Sequence, residues 1–244
     1  MTLDANSLER LVPDDLDACE STGGVTYRLH VERYAFAAEH ARPGRLLDIA
    51  CGVGYGTELM LERAAVVTEA VGVDISPETV DYARERYANE AIRFATGEAA
   101  TFADADGFDT IVSLETIEHL ESEPSAFVEN LEHLLRPRGV LIASAPTTPS
   151  VDVNPHHNWD FTDRSFRRLF RDRGFREVAQ LRQIQPVDVG SVMRKDEKRM
   201  AGIRPNLPLY YATHPSAFAR RILVTLRHGF SNHYITIVWE RDDD

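Results

Sequence analysis

Glu115, Glu118 and His119 stand at spacing i, i+3, i+4 in the stretch ETIEHL. On a helical turn that spacing places two carboxylates and one imidazole on a single face. Such a set suits half of a divalent-cation site; without a cation, His119 is a candidate general base. The loop NPHHNWD downstream offers His156 and His157 as closing ligands, with Trp159 and Asp160 beside them as candidates to line an acceptor pocket. A cation lowers the pKa of an oxygen bound to it and orients that oxygen, which matters for a hydroxyl acceptor that is hardly ionised at neutral pH. Magnesium prefers oxygen donors and imidazole suits later metals, so the mixed set is compatible with Mg2+, Mn2+ or Fe2+. Read without chemistry, Glu118 and His119 are ordinary helix surface charges and Trp159 packs in the core.

A second constellation lies upstream. LLDIACGVGYG sets Gly52, Gly54 and Gly56 directly after a short apolar run. Glycines in a strand-to-helix turn let the backbone bend tightly and approach a ligand. A dinucleotide fingerprint needs its third glycine at position 57, which is Thr57, so a nicotinamide or flavin cofactor is disfavoured. Asp74 ends the next apolar run, where a carboxylate accepts hydrogen bonds from the hydroxyls of a ribose or caps the following helix.

The elements that must position these groups alternate. Strands are predicted at 45–50, 70–74, 92–96, 108–114 and 140–145. Helices are predicted at 25–41, 55–63, 77–88 and 124–135, with Ser76 as N-cap and Pro77 at the first helical position. Repeated strand–helix alternation predicts an α/β fold, a parallel sheet with helices on both faces. Further on, a helix is expected at 162–173 and strands at 175–183 and 233–239. Residues 1–24 read as an irregular or partly helical leader, and 186–212 as an insertion containing the charged run Arg194–Arg199, expected to be a solvated face. Residues 215–227 read as an amphipathic helix that serves as a lid, a dimer surface or packing on the sheet.

The 244 residues suit one large domain, with 1–44 as an N-terminal helical cap, 45–183 as the core, 184–232 as an insertion or lid, and 233–240 as the last strand. With 27 basic and 39 acidic residues the formal charge is −12. That balance argues against an extended basic surface for nucleic acid or an anionic membrane. Two cysteines make no disulfide framework. The polar, acidic start does not read as a signal peptide, and no apolar run approaches the ~20 residues that span a bilayer. A cytoplasmic protein, free of membrane and nucleic acid and able to form a homodimer, is the expectation.

The ordered motifs resemble those of the class I S-adenosylmethionine-dependent methyltransferases. LLDIACGVGYG is similar to their first motif, VGVDIS to the second, ATGEA to the third, FDTIVSLETIEHL to the fourth and LRPRGVLIASAPT to the strand that follows. The resemblance covers about residues 25–183 and departs at Glu98, where many relatives have Asp. It implies a Rossmann-like seven-stranded sheet with its last strand antiparallel, and S-adenosyl-L-methionine as cofactor. It implies that Asp48, Gly52, Gly54 and Gly56 face the methionine portion, that Asp74 holds the ribose, and that Ile75 packs on adenine. Glu98 and Ala99 would meet the adenine edge, and Leu114 and Glu115 would border the sulfonium. Tyr27, His30 and Arg33 would close over the cofactor, although Tyr27 and Tyr34 also suit core packing.

The Glu-x-x-Glu-His stretch resembles two groups of O-methyltransferases, one acting on the terminal ribose of small RNAs and one making the catechol ethers of ubiquinone. The loop from Asn154 resembles methyltransferases found with cell-surface polysaccharide genes, whose pattern favours His157 over His156. The resemblance therefore implies an O-methyltransferase of a sugar or polysaccharide hydroxyl, with Mg2+ or Mn2+ on Glu115, Glu118, His119 and His157, and with His119 and Glu115 catalytic. Its partner would be a small-molecule or oligosaccharide acceptor. The alternative is methylation of another small-molecule natural product, on oxygen or nitrogen, with His119 as a metal-free base. Farther off stand an RNA 3′-end methyltransferase and a catalytically silent binding subunit.

Overall fold

The computed structural model describes residues 21–186 and 206–241. The leader up to residue 20, the bulk of the insertion with its charged run, and the acidic tail lie outside the described residues.

Among the described residues fourteen elements follow one another: α1 (Ser21–His40), β1 (Gly44–Ile49), α2 (Tyr55–Arg63), β2 (Val67–Asp74), α3 (Pro77–Tyr87), β3 (Ile92–Thr96), β4 (Phe108–Ser113), α4 (Pro124–Leu134), β5 (Leu135–Pro146), α5 (Asp163–Arg171), β6 (Phe175–Pro186), α6 (Leu207–Thr213), α7 (Pro215–His228) and β7 (Ser231–Arg241). The strands form one seven-stranded sheet in the order β3-β2-β1-β4-β5-β7-β6. β1 to β5 pair in parallel, and β7 runs antiparallel to both β5 and β6. This is the Rossmann-like methyltransferase arrangement predicted from the alternation and the motifs.

Strand alternation divides the core in two. Leu46 points to one face, where Met60, Val80, Ala83, Tyr34 and Ala37 of α1–α3 cover it. Leu47 points to the other, against Phe127, Leu131, Phe166 and Phe170 of α4 and α5. Trp239 of β7 stacks on Phe170, centroids 4.7 Å apart and 11° from parallel, locking the antiparallel strand onto the same layer. Local signals set the helix starts. Ser76 Oγ accepts from the Thr79 amide at 3.4 Å, with Pro77 just inside, and Thr162 and Ser165 form a reciprocal capping box.

Four strands outrun the prediction, with β6 reaching Pro186 and β7 spanning Ser231–Arg241, and α6 forms inside the stretch read as an insertion. β2 begins at Val67 and β5 at Leu135, passing through Pro137–Gly139 where a helix stop was expected. Arg138 takes a left-handed φ of 64° there, and the irregular pairing between Phe108 and Thr110 absorbs the extra residues. Among the described residues no helix is long and apolar enough to cross a membrane.

Candidate active site

The first four parallel strands deliver their carboxyl ends to one edge of the sheet, where α/β folds place ligands. At the end of β1 the chain turns through positive φ at Ala50 (62°), Gly52 (57°) and Gly54 (88°). The three glycines have different tasks. A Cβ on Gly54 would sit 2.8 Å from Ala83 and Phe94, and one on Gly56 would sit 2.0 Å from the Tyr34 ring. Those two are glycine because protein packs against them. Only at Gly52 is the space ahead of the backbone open, and Gly52 lines the adjoining cavity.

Asp48 was expected to face the cofactor. It lies instead beneath the turn, 1% exposed, accepting from Thr57 Oγ1 at 2.7 Å and from Tyr34 Oη at 3.3 Å. Burial pushes its carboxyl up to about 7, against the opposing pull of those two hydrogen bonds. Asp74 accepts from the Gly52 amide at 3.0 Å and the Ser76 amide at 2.9 Å, so it fixes the turn and starts α3 together. Ile75 beside it is 67% exposed, a free apolar surface. Glu98 is exposed and Ala99 half-buried at the end of β3. Asp74, Ile75, Glu98 and Ala99 do not line the cavity, whereas Gly52 and Leu114 do.

The predicted single face of Glu115, Glu118 and His119 does not form. Glu115 has a left-handed φ of 51°, and residues 117–119 make a turn instead of a helix. Ser144 of β5 holds Glu115 at both ends: its Oγ accepts from the Glu115 amide at 2.9 Å and donates to Oε1 at 2.6 Å. Arg33 of α1 supplies a cation 3.7 Å from the same oxygen, and its guanidinium lies 4.5 Å over the ring of Tyr234. The sequence showed no basic residue beside Glu115; the fold brings one from a remote helix.

Glu118, His119 and His157 do converge, with candidate ligand atoms all within 4.8 Å of one another. Glu115 is not part of this group. The turn and the loop beyond β5 are stitched together by main chain: the amides of Asn158 and Trp159 donate to the Glu118 carbonyl at 2.8 and 3.1 Å, and Asn158 Nδ2 donates to the His119 carbonyl at 3.0 Å. Trp159 and Asp160 serve this scaffold and do not line the cavity. Trp159 donates to the Leu120 carbonyl, and Asp160 accepts from the Ser150 and Val151 amides.

This group fits a cation. Glu118 is 1% exposed, and a buried carboxylate calls for pairing or coordination. His119 Nδ1 lies 3.1 Å from the His156 carbonyl; donating there leaves Nε2 as the nitrogen with a lone pair, 3.7 Å from Glu118. His157 Nδ1 meets Ser150 Oγ at 2.6 Å, and enclosure, with the neighbouring histidines, lowers its pKa to about 3. It is therefore neutral, the form that binds metal. Two imidazoles and one carboxylate leave coordination positions open for a substrate. His156 contributes its carbonyl, not its ring.

The cavity, about 590 Å³, joins these parts: Gly52 and Leu114 at one side, Glu118, His119 and His157 at another, and His30, Arg33 and Tyr34 of α1 across from them. Tyr27 instead packs on Tyr55, centroids 5.6 Å apart. Sequence reasoning missed Ser144 and Asn158, which brace the site, and Ser150, Tyr234, Tyr211 and Arg221, which line the cavity. Only Ser144, a lone hydroxyl in the apolar run LIASAP, carried a visible signal.

Residues 47–143 match the family model described as "Methyltransferase domain". The chain is 29% identical over 178 residues to a "probable S-adenosylmethionine-dependent methyltransferase" of Mycobacterium tuberculosis, covering 70% of this chain and 61% of that protein. It is 28% identical over 197 residues to phosphoethanolamine N-methyltransferase 1 of Arabidopsis thaliana, covering 73% of this chain and 38% of that one. It thus spans about three fifths of the first relative and less of the second. The N-methyltransferase NodS of Bradyrhizobium japonicum, solved with S-adenosyl-L-homocysteine, has the same fold: TM-score 0.60, 15% identity, 96% of this chain and 95% of that one. The family match falls on β1 to β5 and the glycine turn between them, so residues 47–143 are similar to a methyltransferase domain, and the first of these relatives is described as S-adenosylmethionine-dependent.

Proposed function

We propose that the protein is an S-adenosylmethionine-dependent O-methyltransferase that acts on a hydroxyl of a sugar or polysaccharide with a divalent cation held by Glu118, His119 and His157. The observation that carries this reading is the convergence of those three side chains in the cavity that Gly52 and Leu114 also line. S-adenosylmethionine, when bound, supplies an electrophilic methyl group. The cation, when bound, supplies charge that makes a neighbouring hydroxyl more acidic. The chain's own residues do the rest. Asp74 would hold the ribose, and the Gly52 turn would face the methionine portion. Glu115, fixed by Ser144 and Arg33, borders the transfer point with its direction locked. His157 stays neutral and presents a nitrogen lone pair beside the His119 ring, and α1, α6 and α7 wall off water so that the reacting groups stay aligned. With two imidazoles in the set, Mn2+ suits the donors better than Mg2+.

The deciding experiment follows S-adenosylhomocysteine release with a panel of sugar acceptors, in EDTA and after adding back Mn2+ or Mg2+. Loss in EDTA and recovery with metal is the expected result; unchanged turnover in EDTA removes the cation. A second reading, a metal-free His119 base acting on an amine or another small molecule, draws on the 3.7 Å contact of His119 with Glu118 and on the N-methyltransferase relatives. Turnover of amines alone in the same panel would favour it.

A further inference from the structure

The α6–α7 pair has two faces, and the outer one is unlike the rest of this acidic chain. From Asn206 to Trp239 there is no aspartate or glutamate, while three arginines occur, Arg220, Arg221 and Arg227, in a chain of net charge −12. α7 is also turned inside out. Its inner side carries buried Ala217 and half-buried Arg221, which lines the cavity. Its outer side carries Phe218, Ile222, Leu223 and Leu226, all exposed, with Leu223 at 66% and Leu226 at 79%. Phe230 just beyond the helix is exposed as well. At 3.6 residues per turn the four apolar positions on α7 cover an arc on the order of 140°, and exposed Arg220 and Arg227 border it.

We propose that this face docks on the surface of an anionic lipid membrane. Leucine and phenylalanine enter the headgroup–acyl boundary, and the bordering arginines meet lipid phosphates; this is the pattern of an interfacial helix. The charge pattern disfavours a second copy. A two-fold contact of this face with itself would set arginine against arginine with no carboxylate of its own to pair them. A contact with an acidic region elsewhere on a second copy would be head to tail, giving a ring or an open filament instead of a self-complementary pair. Docking would also bring the cavity wall formed by Tyr211 and Arg221 beside the bilayer. The proposal stands apart from the chemistry assigned to the cavity.

The test is co-sedimentation of the full-length protein with vesicles of phosphatidylcholine alone and of phosphatidylcholine with about one third phosphatidylglycerol. Partitioning is expected to be at least about ten-fold stronger on the anionic vesicles. It should fall at least about ten-fold in a Leu223→Ser/Leu226→Ser variant and in an Arg220→Glu/Arg227→Glu variant, with the melting temperature of each kept within a few degrees. Absence of binding to both vesicle types overturns the proposal. So does binding undiminished in both variants, which moves the contact elsewhere. A wild-type dimer that the leucine variant dissociates, without vesicle binding, assigns the face to a second copy. A drop of more than ~5 °C in the leucine variant shows that the chain already covers the face itself.

Discussion

The imidazoles of His119 and His157 meet edge to face, centroids 4.8 Å apart with an interplanar angle of 83°. Main-chain hydrogen bonds from Asn158 and Trp159 to Glu118 hold their two segments together. The fold itself thus holds the group together, which makes the roles of the paired histidines separable.

His157→Ala is expected to lower Mn2+ affinity, measured by titration calorimetry, by at least about ten-fold, since even the partners of metal ligands are worth 10- to 100-fold. His156→Ala should stay within about two-fold, because its contribution is a backbone carbonyl that alanine retains. Equal losses in the two would contradict the assignment.

Arg33 and Glu115 form a pair whose side chains are 2% and 14% exposed. Arg33→Met strands the carboxylate beside Ser144 and should cost about 3 kcal/mol in urea denaturation. Adding Glu115→Gln should return part of that loss, because the stranded charge goes with it. Additive losses would mean that the two groups act separately.

Asp48 gives a pH signature. Its folded pKa is raised from 3.8 to about 7, so the fold favours the protonated form. The stability tied to that proton is complete below pH 3.8 and is lost as pH rises through about 7. Asp48→Asn cannot ionise. Its melting temperature relative to wild type should therefore climb by a few degrees between about pH 4 and pH 7. A difference that does not change with pH would show that Asp48 is ionised throughout.

The glycines should split by cause. Gly56→Ala forces a Cβ within 2.0 Å of the Tyr34 ring and should destabilise the fold by about 1–3 kcal/mol in chemical denaturation. Gly52→Ala meets nothing within 4 Å and has a φ of 57°, so it should cost only about 1 kcal/mol of backbone strain. Its larger effect should be weaker S-adenosylhomocysteine binding in calorimetry. The reverse ranking in stability would refute the division.

The sheet was legible because strand and helix periods, Ser76-Pro77 and the spaced glycines are local signals with local physics. The strand ends were less so, since pairing partners extended β2 and β5 beyond their own apolar runs. At the site, spacing identified Glu118, His119 and the later histidine loop. It failed for Glu115, because a single left-handed φ and a hydroxyl from another strand replaced the helical turn that the spacing assumes.

By itself the amino-acid sequence determined the order of the elements apart from α6, the two-faced core and the residue types at the sheet's carboxyl edge, all of which follow from hydrophobic period and turn chemistry within short windows. Tertiary structure decided which of those residues meet. It set Arg33 against Glu115, Ser150 against His157, and the arginine-bordered apolar face of α7 outward. Each of those outcomes depends on segments distant in the chain, and no local pattern encodes the distance at which they come to rest.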